Sequence, residues 1–221
     1  MQTFLDHIAV VTPDLARGVR FVEQTLGVSM QAGGQHPRMG THNQLLRLGD
    51  DVYLEVIAAD PTAAAPQRPR WFELDQLPAD ALPRLGTWVV RTDDIVAARA
   101  ACSWDTGPVE TMTRGALSWR ITIPEDGGLP ANGAAPTLIQ WDTQPHPASM
   151  LDDVGCTLQA LEVFHHVPDR LRSALDRLSL SGNVQVRPLP VGQSPYLLAH
   201  IRTPHGLQTL PANLTGTSNQ A

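Results

Sequence analysis

Apolar positions along the chain switch between a period of two and a period near 3.6. Residues 4–12 (FLDHIAVVT) have the composition of a strand that ends at a turn. Pro13 and Asp14 open a helix, with Asp14 as its cap or first-turn acid, and Leu15, Val19, Val22 and Leu26 follow at helical spacing. Gly27 closes it. A polar, glycine-rich stretch, 31–40, leads to two facing strands, 42–48 and 52–58, across a turn at Gly49-Asp50-Asp51.

That order recurs. The junction Thr12-Pro13-Asp14 returns as Thr92-Asp93-Asp94 and, less closely, as Val167-Pro168-Asp169. The second junction precedes a helix over 95–102 and strands over 109–114, 116–124 and 136–141. The third precedes a helix over 171–178 and strands over 184–189, 196–203 and 207–210. In each unit the last strand begins roughly 40 to 46 residues after the junction. The expected organisation is a first βαβββ module over 1–60 and a linker with a short helix at Trp71, Phe72 and Leu74 over 61–86. A second module spans 87–145, a third, degenerate βαβββ-like module 146–212, and a disordered tail 213–221.

Composition narrows the chemistry. The 221 residues carry 16 basic and 22 acidic side chains, a net charge of −6, and every basic residue is arginine. Without lysine there is no Schiff-base or pyridoxal phosphate chemistry and no phosphate-binding lysine of a Walker-A loop or kinase. Any cation offered to an anionic ligand is an arginine or a metal, and arginine is no base at neutral pH. The mild acidity argues against nucleic acid as a partner, and no apolar run approaches a membrane span. Residues 1–11 lack a secretory signal pattern. Cys102 and Cys156 have no metal-ligand spacing and read as free thiols, which suits a cytoplasmic protein. There is no Gly-x-Ser-x-Gly elbow, dinucleotide fingerprint or EF-hand loop.

The segments DHIAVVTPDL, GTHNQLLRLGDDVYLEVI and PTLIQWD resemble the glyoxalase-like branch of the vicinal oxygen chelate superfamily. The resemblance implies an α+β fold. Its repeated βαβββ modules form curled mixed sheets around an open cleft, with helices outside, and such proteins often dimerise. The cleft usually holds a divalent metal. Members range from lyases, epimerases and dioxygenases to metal-free drug-binding proteins, so fold alone does not fix function.

His7 and Glu55 fall on the family's metal-ligand positions in the opening and closing strands of the first module. Imidazole plus carboxylate suits Zn, Fe, Mn or Ni, and a carboxylate among Tyr, Leu, Val and Ile is costly to bury unpaired. Strand alternation places His7 with Leu5, Ala9 and Val11, and Asp6 with Ile8 and Val10. The second module offers no good ligand in Thr87-Trp88-Val89-Val90 and only Gln140 in its closing strand. His36, His42, His146 and Glu162 are candidates for a third ligand. His42 and Glu55 are candidate acid/base residues and Asn43 a candidate partner for a substrate carbonyl or hydroxyl; alternation sends His42 and Asn43 to opposite faces. Arg38 and Arg120 are anion-side candidates, with Arg120 and Gln140 on a polar face expected to line the cleft. His146-Pro147 reads as a turn. Three functions follow as expectations: a metal-dependent enzyme acting on a small oxygen-rich substrate, a metal-free small-molecule-binding protein, or a structural partner domain.

Overall fold

A computed structural model describes residues 1–211. The tail expected to be disordered, 213–221, lies outside them. β1 (Thr3–Val11) leads into α1 (Leu15–Leu26), whose ends follow from the sequence. The Asp14 carboxylate accepts the Arg17 N–H at 2.7 Å, satisfying a first-turn donor that has no partner inside the helix. Gly27 ends the helix at φ 72°, where a side chain is disfavoured. β2 (Gln31–His36), β3 (Thr41–Arg47) and β4 (Tyr53–Ala59) complete the first βαβββ module. β5 (Arg84–Thr92), α2 (Ile95–Ala101), β6 (Val109–Arg114), β7 (Leu117–Thr122) and β8 (Thr137–Trp141) form a second.

The two modules share one curled sheet of order β2-β3-β4-β1-β5-β8-β7-β6. β1 and β5 meet antiparallel at its centre, and each opening strand pairs in parallel with the last strand of its module, β1 with β4 and β5 with β8. Period-two alternation divides the apolar residues between the two faces. Ile8, Val10, Leu54, Val56, Trp88, Val90 and Leu138 join the helices in the outer core, while Val11, Ile57, Val89, Ile121 and Ile139 line the inner face.

The third unit has a similar element order and a different strand order. β9 (Thr157–His165), α3 (Pro168–Arg177), β10 (Leu180–Ser181), β11 (Val184–Pro188), β12 (Tyr196–Thr203) and β13 (Gly206–Pro211) follow one another. Their sheet runs β11-β9-β12-β13, so the opening strand β9 pairs in parallel with β11 rather than with the last strand. β10 instead extends the first sheet beside Thr3 and Phe4 of β1. Leu161, Val163, Leu197, Ala199 and Ile201 belong to the same core as Ile8, Val10 and Trp88, so this sheet covers the outer face of the first.

Between the modules, residues 60–83 cross the inner face as a strap. Its 3₁₀ turn, Trp71–Gln76, is interrupted by left-handed backbone at Phe72 (φ 61°) and Glu73 (φ 57°). Trp71, Phe72 and Leu74 are buried against the inner apolar residues. Burying each of the two aromatic rings contributes about 1.5–3 kcal/mol, against about 1–2 kcal/mol lost at each left-handed residue. Glu73 also donates its N–H to Gly127 at 2.9 Å, and Arg70 pairs with Asp75 at 2.6 Å. Packing and these bonds together hold the turn in place.

Candidate functional site

The inner face carries one buried polar network, organised by a bulge in β1. Leu5 pairs with Val90 and His7 with Val89, so Asp6 is an extra residue with no counterpart on β5. The bulge breaks the expected alternation. Leu5 packs with Ile8 and Val10 in the outer core, not with His7. Asp6 joins His7 on the inner side, where its carboxylate accepts three N–H groups: His7 Nδ1 at 2.6 Å, His146 Nε2 at 2.9 Å and Trp141 Nε1 at 2.9 Å.

These bonds fix protonation. Burial by itself raises the Asp6 pKa, but hydrogen bonds from His146 and His7 outweigh it and hold the carboxyl far below the ordinary carboxylate range. His146 accepts the Ala148 N–H on Nδ1 at 3.2 Å, which leaves Nε2–H for Asp6. His7 gives Nδ1–H to Asp6 and so turns Nε2 toward the cleft. That nitrogen lies 3.7 Å from Glu55 Oε2. The Tyr53 ring stacks on His7 at 4.5 Å between centroids. Burial, then the nearby Asp6 and Glu55, push the Tyr53 phenol well above its ordinary pKa, so it stays neutral.

Asn43 holds the other end of Glu55. Its Nδ2 donates to Glu55 Oε1 at 2.5 Å, and its Oδ1 accepts the Gly34 N–H at 2.7 Å. The close approach requires a glycine beside it, because a Cβ on Gly33 would stand 2.1 Å from Asn43 Oδ1. Next to Asn43, Arg114 Nη1 donates to His36 Nε2 at 3.1 Å, leaving His36 Nδ1–H for Thr41 Oγ1 at 3.1 Å. His7, His36, Asn43, Tyr53, Glu55 and Arg114 line one cavity of about 30 Å³, walled by Trp71, Phe72, Trp119, Ile121, Ile139 and Trp141.

Other expected site residues lie elsewhere. His42 pairs with Ala58 on the opposite face of β3 from Asn43, so it does not reach Glu55. Arg38 is exposed, donates to the Thr111 carbonyl at 2.7 Å and pairs with Glu110. Arg120 and Gln140 form a cross-strand pair on the outer face, the reverse of the expectation. Arg120 binds Asp142 at 2.8 Å, and Gln140 Oε1 caps α2 by accepting the Ile95 N–H at 2.9 Å. The reason is hydrophobic: Trp119 and Ile121 take the cleft side of β7 and meet the strap. Glu162 sits in the second sheet between Arg187 and His200. His146 does organise a turn, and it also reaches Asp6.

Asp6, Arg114, Trp71 and Phe72 are site residues that the strand periodicity does not single out. Asp6 adjoins His7, yet regular alternation points it away. The Gly33-Gly34 pair is the one local signal of the room left for Asn43 and Arg114.

The donor set does not fit a resident divalent ion. His7 Nε2 and Glu55 Oε2 are suitable donors, and Asp6 steadies His7 as a carboxylate steadies a ligating histidine. The matching inner-face positions of the second module are Val89 and Ile139, which cannot ligate. Among the described residues no group of three or more His, Cys, Asp or Glu converges on one point, whereas such ions take at least three protein ligands as a rule.

A family model described as a glyoxalase-like domain matches residues 5–179. Among solved structures, a hypothetical protein from Staphylococcus aureus superposes with a TM-score of 0.59 at 13% identity, covering 89% of this chain and 88% of that one. A Streptomyces coelicolor methylmalonyl-CoA epimerase variant in complex with 2-nitronate-propionyl-CoA gives 0.43 at 18% identity, over 65% of this chain and 100% of that one. The epimerase from Mycobacterium tuberculosis gives 0.40 at 14% identity, over 64% and 88%. No curated protein matches the chain by sequence.

Proposed function

Because the chain belongs to the glyoxalase-like domain family, within the vicinal oxygen chelate superfamily, we propose that its inner-face cleft binds a small oxygen-rich molecule and that Glu55 exchanges a proton with it. One observation carries this reading: a buried carboxylate, held at Oε1 by Asn43 and facing His7 Nε2 with Oε2, lines a cavity rather than a closed core.

The chemistry that suits this arrangement is proton transfer beside a carbonyl. Glu55 Oε2 takes a proton from a carbon next to the substrate carbonyl, and the C–H electron pair moves into an enolate. The new Glu55 O–H points toward His7 Nε2, which Asp6 orients through Nδ1. Return of the proton to carbon restores the carboxylate. Asn43 keeps Oε1 occupied, so Oε2 does the exchange. Trp71 and Phe72 of the strap wall the site. No step passes through a metal.

Deuterium exchange into pyruvate, 2-oxobutyrate and 2-methylacetoacetate in D₂O, followed by NMR, tests the reading. The wild type exchanges the acidic C–H, and Glu55→Gln loses about 10²-fold or more of that rate. Equal exchange by both proteins overturns Glu55 as the base. The aromatic walls and small cavity favour a second reading, a metal-free binding protein; binding of these acids without exchange selects it.

A further inference from the structure

The cleft contains a cation that forms no direct ion pair among the described residues. Arg114 ends β6, half-buried, with its stem against Gly34. Its Nη1 reaches two groups, His36 Nε2 at 3.1 Å and Asn43 Oδ1 at 3.5 Å. Neither is an anion: burial, then the Arg114 charge itself, lowers the His36 pKa to about 3. Arg38, Arg68, Arg70, Arg91 and Arg120 each stand within ion-pair distance of a carboxylate; Arg114 does not. A half-buried guanidinium fork without an anion is an unfilled recognition element.

A second donor in the same cavity is also unpartnered. Trp71 is 4% exposed, lines the cavity, and its Nε1–H has no hydrogen-bond acceptor among the described residues. Buried polar groups are almost always satisfied, and an exception at a cavity marks where a ligand or water belongs. The carboxylates at hand do not fill this role: Asp6 is engaged by three donors, and Glu55 is held by Asn43 at Oε1 and faces His7 with Oε2.

We propose that the cleft takes a small carboxylate, with Arg114 and the Trp71 N–H as its donors. This deepens the reading of the cleft as a ligand site by naming the ligand class. The cavity of about 30 Å³ is sized for a carboxylate head or one to two waters. A longer acid extends under the Trp71–Gln76 turn, which then shifts. Asn43 links the two ends of the site, bonded to Glu55 through Nδ2 and beside Arg114 through Oδ1. A carboxylate on Arg114 therefore presents its adjoining carbon toward Glu55.

Calorimetric titration with benzoate, pyruvate and phenylpyruvate, against benzamide and pyruvamide, tests the proposal. At least one acid binds the wild type and its neutral amide does not. Arg114→Gln weakens that acid by about 10- to 100-fold and Trp71→Phe, which removes the N–H together with part of the indole ring, by about 3- to 10-fold. Thermal melts confirm that both variants fold, and Trp71→Phe serves alone if Arg114→Gln does not. Amides that bind as well as acids, affinity unchanged in the folded variants, or no binding by any acid overturns the proposal. Glu55→Gln separates it from the proton-transfer reading: that variant still binds the acid and loses exchange. Exchange on neutral ketones without acid binding sinks the carboxylate inference alone, whereas Arg114-dependent binding without exchange sinks the chemistry alone.

Discussion

His36 is neutral because burial, and then the Arg114 guanidinium, lower its pKa from 6.5 to about 3. The unfolded chain binds a proton across that window and the folded chain does not. Stability therefore rises with pH there. The contribution is complete above pH 6.5 and is lost as pH falls toward 3, at up to about 1.4 kcal/mol per pH unit. Asp6, with its depressed pKa, acts in the same direction at still lower pH. Urea unfolding between pH 7 and 4.5 checks this: His36→Gln is expected to flatten the acid limb, and an unchanged slope contradicts the assignment. Part of this site is legible in the sequence. A glutamate inside an apolar strand and a histidine in the opening strand announce themselves by the desolvation cost of burying them. Asp6 does not, because a one-residue bulge reverses the side that alternation assigns to it. Arg120 and Gln140 mislead for a related reason. Alternation separates the two faces of a strand but does not say which one a curled sheet turns inward.

The Trp71–Gln76 turn falls where the linker's short helix is expected, but the face that it covers is not legible in the sequence. Its three buried side chains lie in a proline- and alanine-rich stretch without periodicity, and their destination depends on distant strands. The turn also keeps Phe72 and Glu73 in left-handed backbone. Glycine adopts that conformation without penalty, and alanine does not. Glu73→Gly is therefore expected to be more stable than Glu73→Ala by about 1 kcal/mol. The alanine variant is the proper reference because both lose the distant contact to Arg84, 3.8 Å away. Equal melting temperatures for the two would show that the turn carries no such strain. By contrast, α1 and α2 can be placed from sequence because Asp14 and Asp94 cap them locally, at 2.7 and 3.0 Å.

For the whole molecule, the repeated strand-helix junction reveals two modules, while strand order in the third unit depends on nonlocal pairing that no local pattern encodes. Placing β9 between β11 and β12 gives this unit an apolar face that covers the outer side of β1 and β5. Removing residues 157–211 would expose Leu5, Ile8, Val10 and Trp88. Such a fragment is expected to aggregate, and a soluble fragment with a cooperative melt would show that the first sheet stands alone. No helix among the described residues is long and apolar enough to cross a membrane. The cavity brings Trp71, Trp119 and Trp141 together, three of the five tryptophans in the chain. The Trp141 N–H bonds to an anion, and the Trp71 N–H has no acceptor among the described residues. Their indoles sense different local fields, so the protein carries its own optical reporter, in which a molecule entering the cleft alters the emission of the residues that enclose it.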